Sequence, residues 1–195
     1  EAIISVEAHD IRSADAIVLP GVGSFADASR TMLASGQMQA IRECVRQGVP
    51  FLGICLGMQL IFDYGDEGMP EGEYAEGLGL LRGRCKRIGS ISAEGKRLKV
   101  PHVGWNQVRF IERVTSDTEP LFSGIEDGSN LYFTHSYQCE PEDSCDVLAT
   151  VEHAEKFACA VRKGSVSGVQ FHPEKSSHKG LRVMANFVKM AERSR

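Results

Sequence analysis

Short continuous apolar runs alternate with stretches of helical spacing over the first third of the chain. This alternation predicts parallel β-strands linked by helices. Residues 2–6, with Ile3-Ile4-Ser5-Val6 at their heart, read as a strand, and the polar residues 9–15 have room for one helical turn. Ala16-Ile17-Val18-Leu19 is apolar throughout and ends at Pro20, the pattern of a strand covered on both faces. Pro20-Gly21-Val22-Gly23-Ser24 is a loop by composition. Ser24 or Asp27 is placed to cap a helix carrying Phe25, Ala28, Met32 and Leu33. A second helix uses Met38, Ile41, Cys44 and Val45 and closes at Gly48. Residues 49–54 then form a buried strand, and helical spacing resumes at Leu56, Leu60 and Ile61.

Beyond this point the pattern changes. Residues 63–79 are rich in Gly and acidic groups and read as a surface loop. Short runs at 80–88, 98–100, 106–110, 130–137, 147–151, 157–162 and 166–171, with turn signals between them, predict antiparallel or mixed strands at one side of the sheet. Residues 180–193 close the chain as an amphipathic helix with Leu181, Met184, Phe187 and Val188 inward. The fold class expected is α/β: a mostly parallel central sheet with helices on both faces, plus additional antiparallel strands in the second half. All 195 residues are expected to form one domain. The chain runs from Glu1 straight into a strand, which leaves a central sheet position open and predicts that a first strand and helix precede residue 1.

Composition narrows the function classes. A formal net charge of -4 gives no basic footprint for nucleic acid. No apolar run approaches the roughly 20 residues of a membrane helix, and no signal-peptide pattern opens the chain. The six cysteines are dispersed and form no CxxC pair, which favours free thiols in a reducing cytoplasm. The six histidines show no HxxxH spacing, so neither a zinc site nor another metal is expected.

The chemistry concentrates where strand 49–54 meets the next helix. Cys55 stands at that join between Gly53 and Gly57, the strand–turn–helix logic of a nucleophile elbow with cysteine in the place of serine. A sharp turn requires small neighbours, and a helix start directs N–H groups at the sulfur, which favours thiolate. A buried cysteine of no reactivity is the alternative. A cysteine nucleophile requires a base. Gly168-Val169-Gln170-Phe171-His172-Pro173-Glu174 supplies a candidate: a buried strand carries His172 to the same sheet edge, and Pro173 holds it extended. Extended backbone then points His172 and Glu174 the same way, so that Glu174 orients the imidazole. His9, His153 and His178 lie in polar stretches and read as surface residues; His102 and His135 lie near strand ends, where a structural role is the default. The lone Trp105 reads as core or pocket wall.

Gly53-Ile54-Cys55-Leu56-Gly57-Met58-Gln59 together with His172-Pro173-Glu174 resembles the triad class of glutamine amidotransferases. Pro20-Gly21-Val22-Gly23, Pro101-His102-Val103-Gly104-Trp105-Asn106 and Lys175-Ser176-Ser177 are similar to motifs of one family within it, the glutaminase subunits of imidazole glycerol phosphate synthase. The resemblance implies class I glutamine amidotransferase architecture with flavodoxin-like layers, and glutamine as substrate. Cys55 would form a glutamyl thioester, His172 would move the protons and Glu174 would orient it. Backbone N–H groups of Val22, Gly23 and Leu56 would stabilise the oxyanion. Gly53, Gln59, His135, Ser136 and Tyr137 match positions around glutamine; Trp105, Tyr132 and Lys175 match positions facing a cyclase (synthase) subunit in a heterodimer. No cofactor is implied. Ammonia would pass to that partner for histidine biosynthesis, and near-silence until the partner binds its ligand implies a rearranging oxyanion loop. A sister glutaminase feeding another synthase, such as that of the pyridoxal phosphate pathway, and a catalytically silent scaffold are the competing readings. Val22 and Lys175-Ser176-Ser177 argue against the first and the intact Cys/His/Glu set against the second.

Overall fold

The expected helices of the first half lie where their apolar spacing placed them. In the computed structural model, which describes residues 2–193, α1 (Ala8–Arg12) precedes β1 (Ile17–Gly21), α2 (Phe25–Ala34) and α3 (Gln37–Arg46) follow it, and β2 (Phe51–Cys55) leads directly into α4 (Leu56–Leu60). The loop after α4 contains only the short β3 (Tyr64–Gly65) and β4 (Ala75–Glu76). There follow β5 (Gly83–Arg87), β6 (His102–Gln107), β7 (Arg109–Phe110), β8 (Asn130–His135), β9 (Tyr137–Pro141), β10 (Val147–His153), β11 (Glu155–Lys163), β12 (Val166–Val169) and the long α5 (Ser177–Arg193).

The fold is α/β with a mixed sheet. Its main path runs β1-β2-β12-β11-β9-β5-β3-β4, with β10 and β7 attached through β11, while β6 and β8 pair separately. β2 lies between β1 and β12 and is parallel to both. The strands from β9 to β12 pair antiparallel, as the second half's turn-rich pattern predicted.

Side-chain alternation along β2 divides the core. Phe51 faces a cluster that takes in Phe25, Met32, Met38, Ile41 and Leu60 of α2, α3 and α4. Leu52 and Ile54 face the other way, into a cluster with Phe133, Phe171, Val183 and Phe187. Helices therefore cover both faces of β2, which explains why the whole strand is buried.

Several expectations are corrected. Residues 2–6 form no strand; Ile4 is fully exposed and nothing among the described residues pairs with this run. β1 was expected to be covered on both faces, but it alternates: Ile17 is buried and Val18 on the opposite face is exposed, so one face lacks cover. Ser24 stands at the N-cap of α2 as expected, but its side chain makes no capping hydrogen bond, and Asp27 pairs with Arg30. Residues 98–100 make no strand, since the pairing there is one isolated bridge between Ile91 and Arg97. On α5 the buried stripe is Gly180, Val183, Asn186 and Phe187, and Leu181 and Val188 are exposed one position off it. The stripe is displaced because Asn186 is held inside, its amide donating to Leu121 O and Ser123 O at 3.0 and 2.9 Å. Trp105 points outward and is 55% exposed, since β6 turns His102 inward and Trp105 lies an odd number of residues beyond it.

Candidate active site

The elbow is built by close packing. Cys55 has φ 53° and ψ -109°, a region that costs an L-residue about 1–3 kcal/mol. A Cβ on Gly53 would lie 2.4 Å from Gly57 O, and one on Gly57 would lie 1.8 Å from Leu19 O. The glycines let the first turn of α4 lie directly on β1 and β2, and that contact holds Cys55 in its strained conformation.

The sulfur is buried, and burial pushes the Cys55 thiol up to about 11. The Leu56 N–H opposes this, as expected of the helix start, but is outweighed; Cys139 and Glu174 add to the rise, and a donor from Gln170 lowers it. The predicted preference for thiolate is thus overturned in this arrangement, because desolvation exceeds the stabilisation from a single short helix.

His172 reaches the same edge by register. Val169 of β12 lies opposite Ile54 of β2, so Cys55 and Gln170 leave the sheet side by side. His172 N donates to Tyr132 O (2.9 Å), and the Ser176 hydroxyl donates to His172 O (2.6 Å) while accepting from Tyr132 N (2.9 Å). The imidazole is buried, and its Nδ1 lies 2.8 Å from Glu174 Oε1. A carboxylate only accepts, so Nδ1 carries the hydrogen and Nε2 presents a lone pair. That Nε2 is buried without a hydrogen-bond partner. His172 is extended as Pro173 dictates, but Glu174 returns to it through a 3-10 turn, Pro173–Lys175, rather than along extended backbone.

The other expected site residues fall in three places. Gln59, buried on α4, donates from Nε2 to Tyr137 O (3.2 Å) and Gln170 Oε1 (3.3 Å). His135, Ser136 and Tyr137 form the connection between β8 and β9, and Tyr137 O receives the Gln59 amide. Val22 and Gly23 follow β1, whose last residue, Gly21, is the register partner of Cys55; Val22 is 80% exposed. Trp105, Tyr132 and Lys175 cluster on an outer face: the Trp105 and Tyr132 rings are 6.1 Å apart and the Lys175 ammonium lies 5.8 Å from the Tyr132 ring. A cavity of about 230 Å³ opens beside Tyr137, lined also by Asp66, Tyr74 and Arg87, residues the sequence did not single out. Among the described residues no group of three or more His, Cys, Asp or Glu could hold a metal.

The structure adds a hydrogen-bonded chain behind the site. Tyr137 O can only accept, so His135 Nδ1 donates to it (2.7 Å). His135 Nε2 then accepts from His102 Nδ1 (3.1 Å), and His102 Nε2 accepts from Asn106 Nδ2 (3.1 Å). His153, expected at the surface, stacks on His102 at 4.3 Å. Burial pushes His135 down to about 3 and His102 down to about 4, from an ordinary value of 6.5. Below about 6.5 the unfolded chain takes up protons that the folded chain refuses, so stability is lost as the pH is lowered through that range. Melting temperatures between pH 7 and 5 are expected to drop less steeply in His102→Phe, which keeps the ring stacking and removes one titrating group. An unchanged slope would refute this account.

The comparisons agree with the geometry. The family model described as Glutamine amidotransferase class-I matches residues 2–191. "Imidazole glycerol phosphate synthase subunit HisH" of Moorella thermoacetica is 46% identical over 178 residues, 91% of this chain and 78% of that protein. The protein of the same name from Geobacillus sp. (strain WCH70) is 42% identical over 192 residues, 98% of this chain and 86% of that one. A crystal structure of a glutamine amidotransferase superposes with a TM-score of 0.66 at 19% identity, over 95% of this chain and 84% of the other. The glutaminase domain of Trypanosoma brucei CTPS with bound acivicin gives a TM-score of 0.58 at 17% identity, over 93% and 74% of the two chains, and at such identities the likeness is one of fold. A family match along almost the whole chain, joined to relatives above 40% identity, places this protein among the class I glutamine amidotransferases and, within them, in the family of imidazole glycerol phosphate synthase HisH subunits.

Proposed function

We propose that this chain hydrolyses glutamine to glutamate and ammonia and delivers the ammonia to a cyclase subunit. That partner would use it to form imidazole glycerol phosphate and an aminoimidazole carboxamide ribonucleotide, a lyase step of histidine biosynthesis in the cytoplasm. The observation that carries the mechanism is the state of His172: tied by Glu174 on Nδ1, unpartnered on Nε2, and held at the sheet edge where Cys55 ends its strand.

The steps follow from these roles. His172 Nε2 takes the thiol proton as Cys55 Sγ adds to the side-chain carboxamide carbon of glutamine. The carbon–nitrogen bond then breaks, the proton leaves with ammonia, and a glutamyl thioester remains. Water, deprotonated by the same nitrogen, attacks the thioester, and glutamate departs as the sulfur regains a proton. Glu174 keeps the tautomer correct throughout and stabilises the imidazolium. The tetrahedral oxyanion would meet the N–H of Leu56 and those of Val22 and Gly23, each such donor being worth roughly 3–4 kcal/mol. Glutamine would lie between Gly53, Gln59 and the turn His135-Ser136-Tyr137, and the adjoining cavity offers Asp66 and Arg87 to its charged amino-acid end. Trp105, Tyr132 and Lys175 form the face offered to the cyclase subunit.

The resting arrangement supports a quiet free subunit. The thiol is pushed up to about 11 and donates weakly, at 4.0 Å, to Thr134 O, while His172 Nε2 has no partner. Such contacts often tighten only in the substrate complex.

An electrophilic glutamine analogue tests the site directly. One equivalent is expected to bind per chain, on Cys55, with free glutamine protecting. In His172→Asn the labelling is expected to slow about 100-fold or more, the usual worth of a positioned base. Label on another cysteine, or no protection by glutamine, would overturn the reading.

A further inference from the structure

Gln170 has no role in the mechanism above, yet its side chain meets the sulfur. It is completely buried, and its Nε2 lies 3.6 Å from Cys55 Sγ. Gln170 follows directly on β12, two residues before His172, and Phe171 between them is buried in the core.

The orientation of the Gln170 amide is dictated from a distance. Tyr137 O can only accept, so Gln59 must present Nε2 to it. The second hydrogen of that nitrogen meets Gln170 Oε1. Only Nε2 of Gln170 is then left to face Cys55, and it faces it as a donor. A backbone carbonyl in the turn after β8 therefore determines, through two buried amides, that the sulfur is offered a hydrogen. A donated hydrogen bond stabilises the charged form of an acceptor more than the neutral form. Among the described residues the sulfur also meets the Leu56 N–H and, at 4.0 Å, an acceptor, Thr134 O, which suits the thiol and not the thiolate.

We propose that Gln170 is a positioning residue for the glutaminase reaction: its amide fixes the sulfur of Cys55 and favours the thiolate at the moment His172 takes the proton. This rests on the reading of Cys55 as nucleophile. In a buried site, where hydration of the thiolate has been lost, this donor and the Leu56 N–H are the groups that replace water.

The test uses the full chain and needs no glutamine. Cys55 is alkylated with iodoacetamide across pH 7 to 11, and the modified peptide is followed by mass spectrometry. Gln170→Met keeps length and volume and removes the donor. Its alkylation is expected to be about tenfold slower at pH 8 and to recover toward the parent rate only as the solution becomes more alkaline. In steady-state assays of the assembled synthase, kcat is expected to fall with KM little changed. Gln59→Met, which frees the Gln170 amide to turn over, is expected to shift the profile in the same direction by a smaller factor, and it serves if Gln170→Met does not fold. A folded variant with the parent's pH profile would overturn the proposal. Retained glutamine turnover in Cys55→Ala would instead overturn the nucleophile reading, so the two failures are distinguishable.

Discussion

Cys55→Ala is expected to abolish glutamine-driven synthesis by the assembled synthase, by a factor on the order of 10⁴ or more, while synthesis from added ammonium salts continues. The size of the loss follows from the chemistry. Without the sulfur there is no thioester, and His172 is left to activate water alone against a carboxamide. The survival of the ammonium reaction follows from the packing. The substitution removes one buried atom, the glycines at 53 and 57 still seat the helix, and Ala meets the same φ of 53° that Cys already tolerates. The outer face of Trp105, Tyr132 and Lys175 is untouched. Measuring both nitrogen sources on one preparation separates a lost nucleophile from a lost fold. Appreciable glutamine-driven turnover in the variant would refute the thioester mechanism, and loss of the ammonium reaction as well would mean that the elbow does more than hold a sulfur.

The second large effect is expected at Gly57. Its substitution by Ala would place Cβ 1.8 Å from Leu19 O and 2.9 Å from the carbonyl carbon, both of them backbone of β1. No rotamer change can relieve a clash with backbone, so either β1 or α4 must move. A destabilisation of about 3 kcal/mol or more is expected, a large share of the roughly 5–15 kcal/mol by which domains are stable. Because α4 begins directly after Cys55, any fraction that stays folded is expected to hold the sulfur out of place and lose glutaminase activity. Gly36→Ala is the control: its added Cβ meets nothing within 4 Å, and only its φ of 76° is unfavourable, worth about 1 kcal/mol. Urea denaturation of the two variants tests the argument. Gly57 is helical and has no positive φ, so a loss no larger than that of Gly36→Ala would refute the argument that the contact with Leu19 demands glycine at 57.

The parts of this protein that were legible in the sequence are those decided by near neighbours along the chain. The elbow could be read because a strand, a turn and a helix start impose their needs on consecutive residues, and Gly53, Cys55 and Gly57 meet them. His172 and Glu174 could be read because Pro173 restricts the backbone beside them, although the carboxylate arrives through a 3-10 turn. Helices α2 and α3 followed from apolar spacing alone. Where a residue's environment is made by distant chain, the reading failed. Residues 2–6 have the composition of a strand, but no strand among the described residues pairs with them. Leu181 and Val188 belong to the apolar side of α5 by pattern, but Asn186 is drawn inside by carbonyls more than sixty positions away.

The sequence by itself determined which groups are candidates for the chemistry and how the elbow around Cys55 is locally held, since covalent geometry and side-chain size act over a few residues. Only the tertiary structure decided what those groups experience. The register of β12 on β2 brings Gln170 to the sulfur, and burial lifts the thiol to about 11. The His102–His135 pair, from two different strands, is hydrogen-bonded to the turn beside the site. Desolvation and hydrogen-bond direction depend on every atom packed around a group, and those atoms come from strands far apart in the chain.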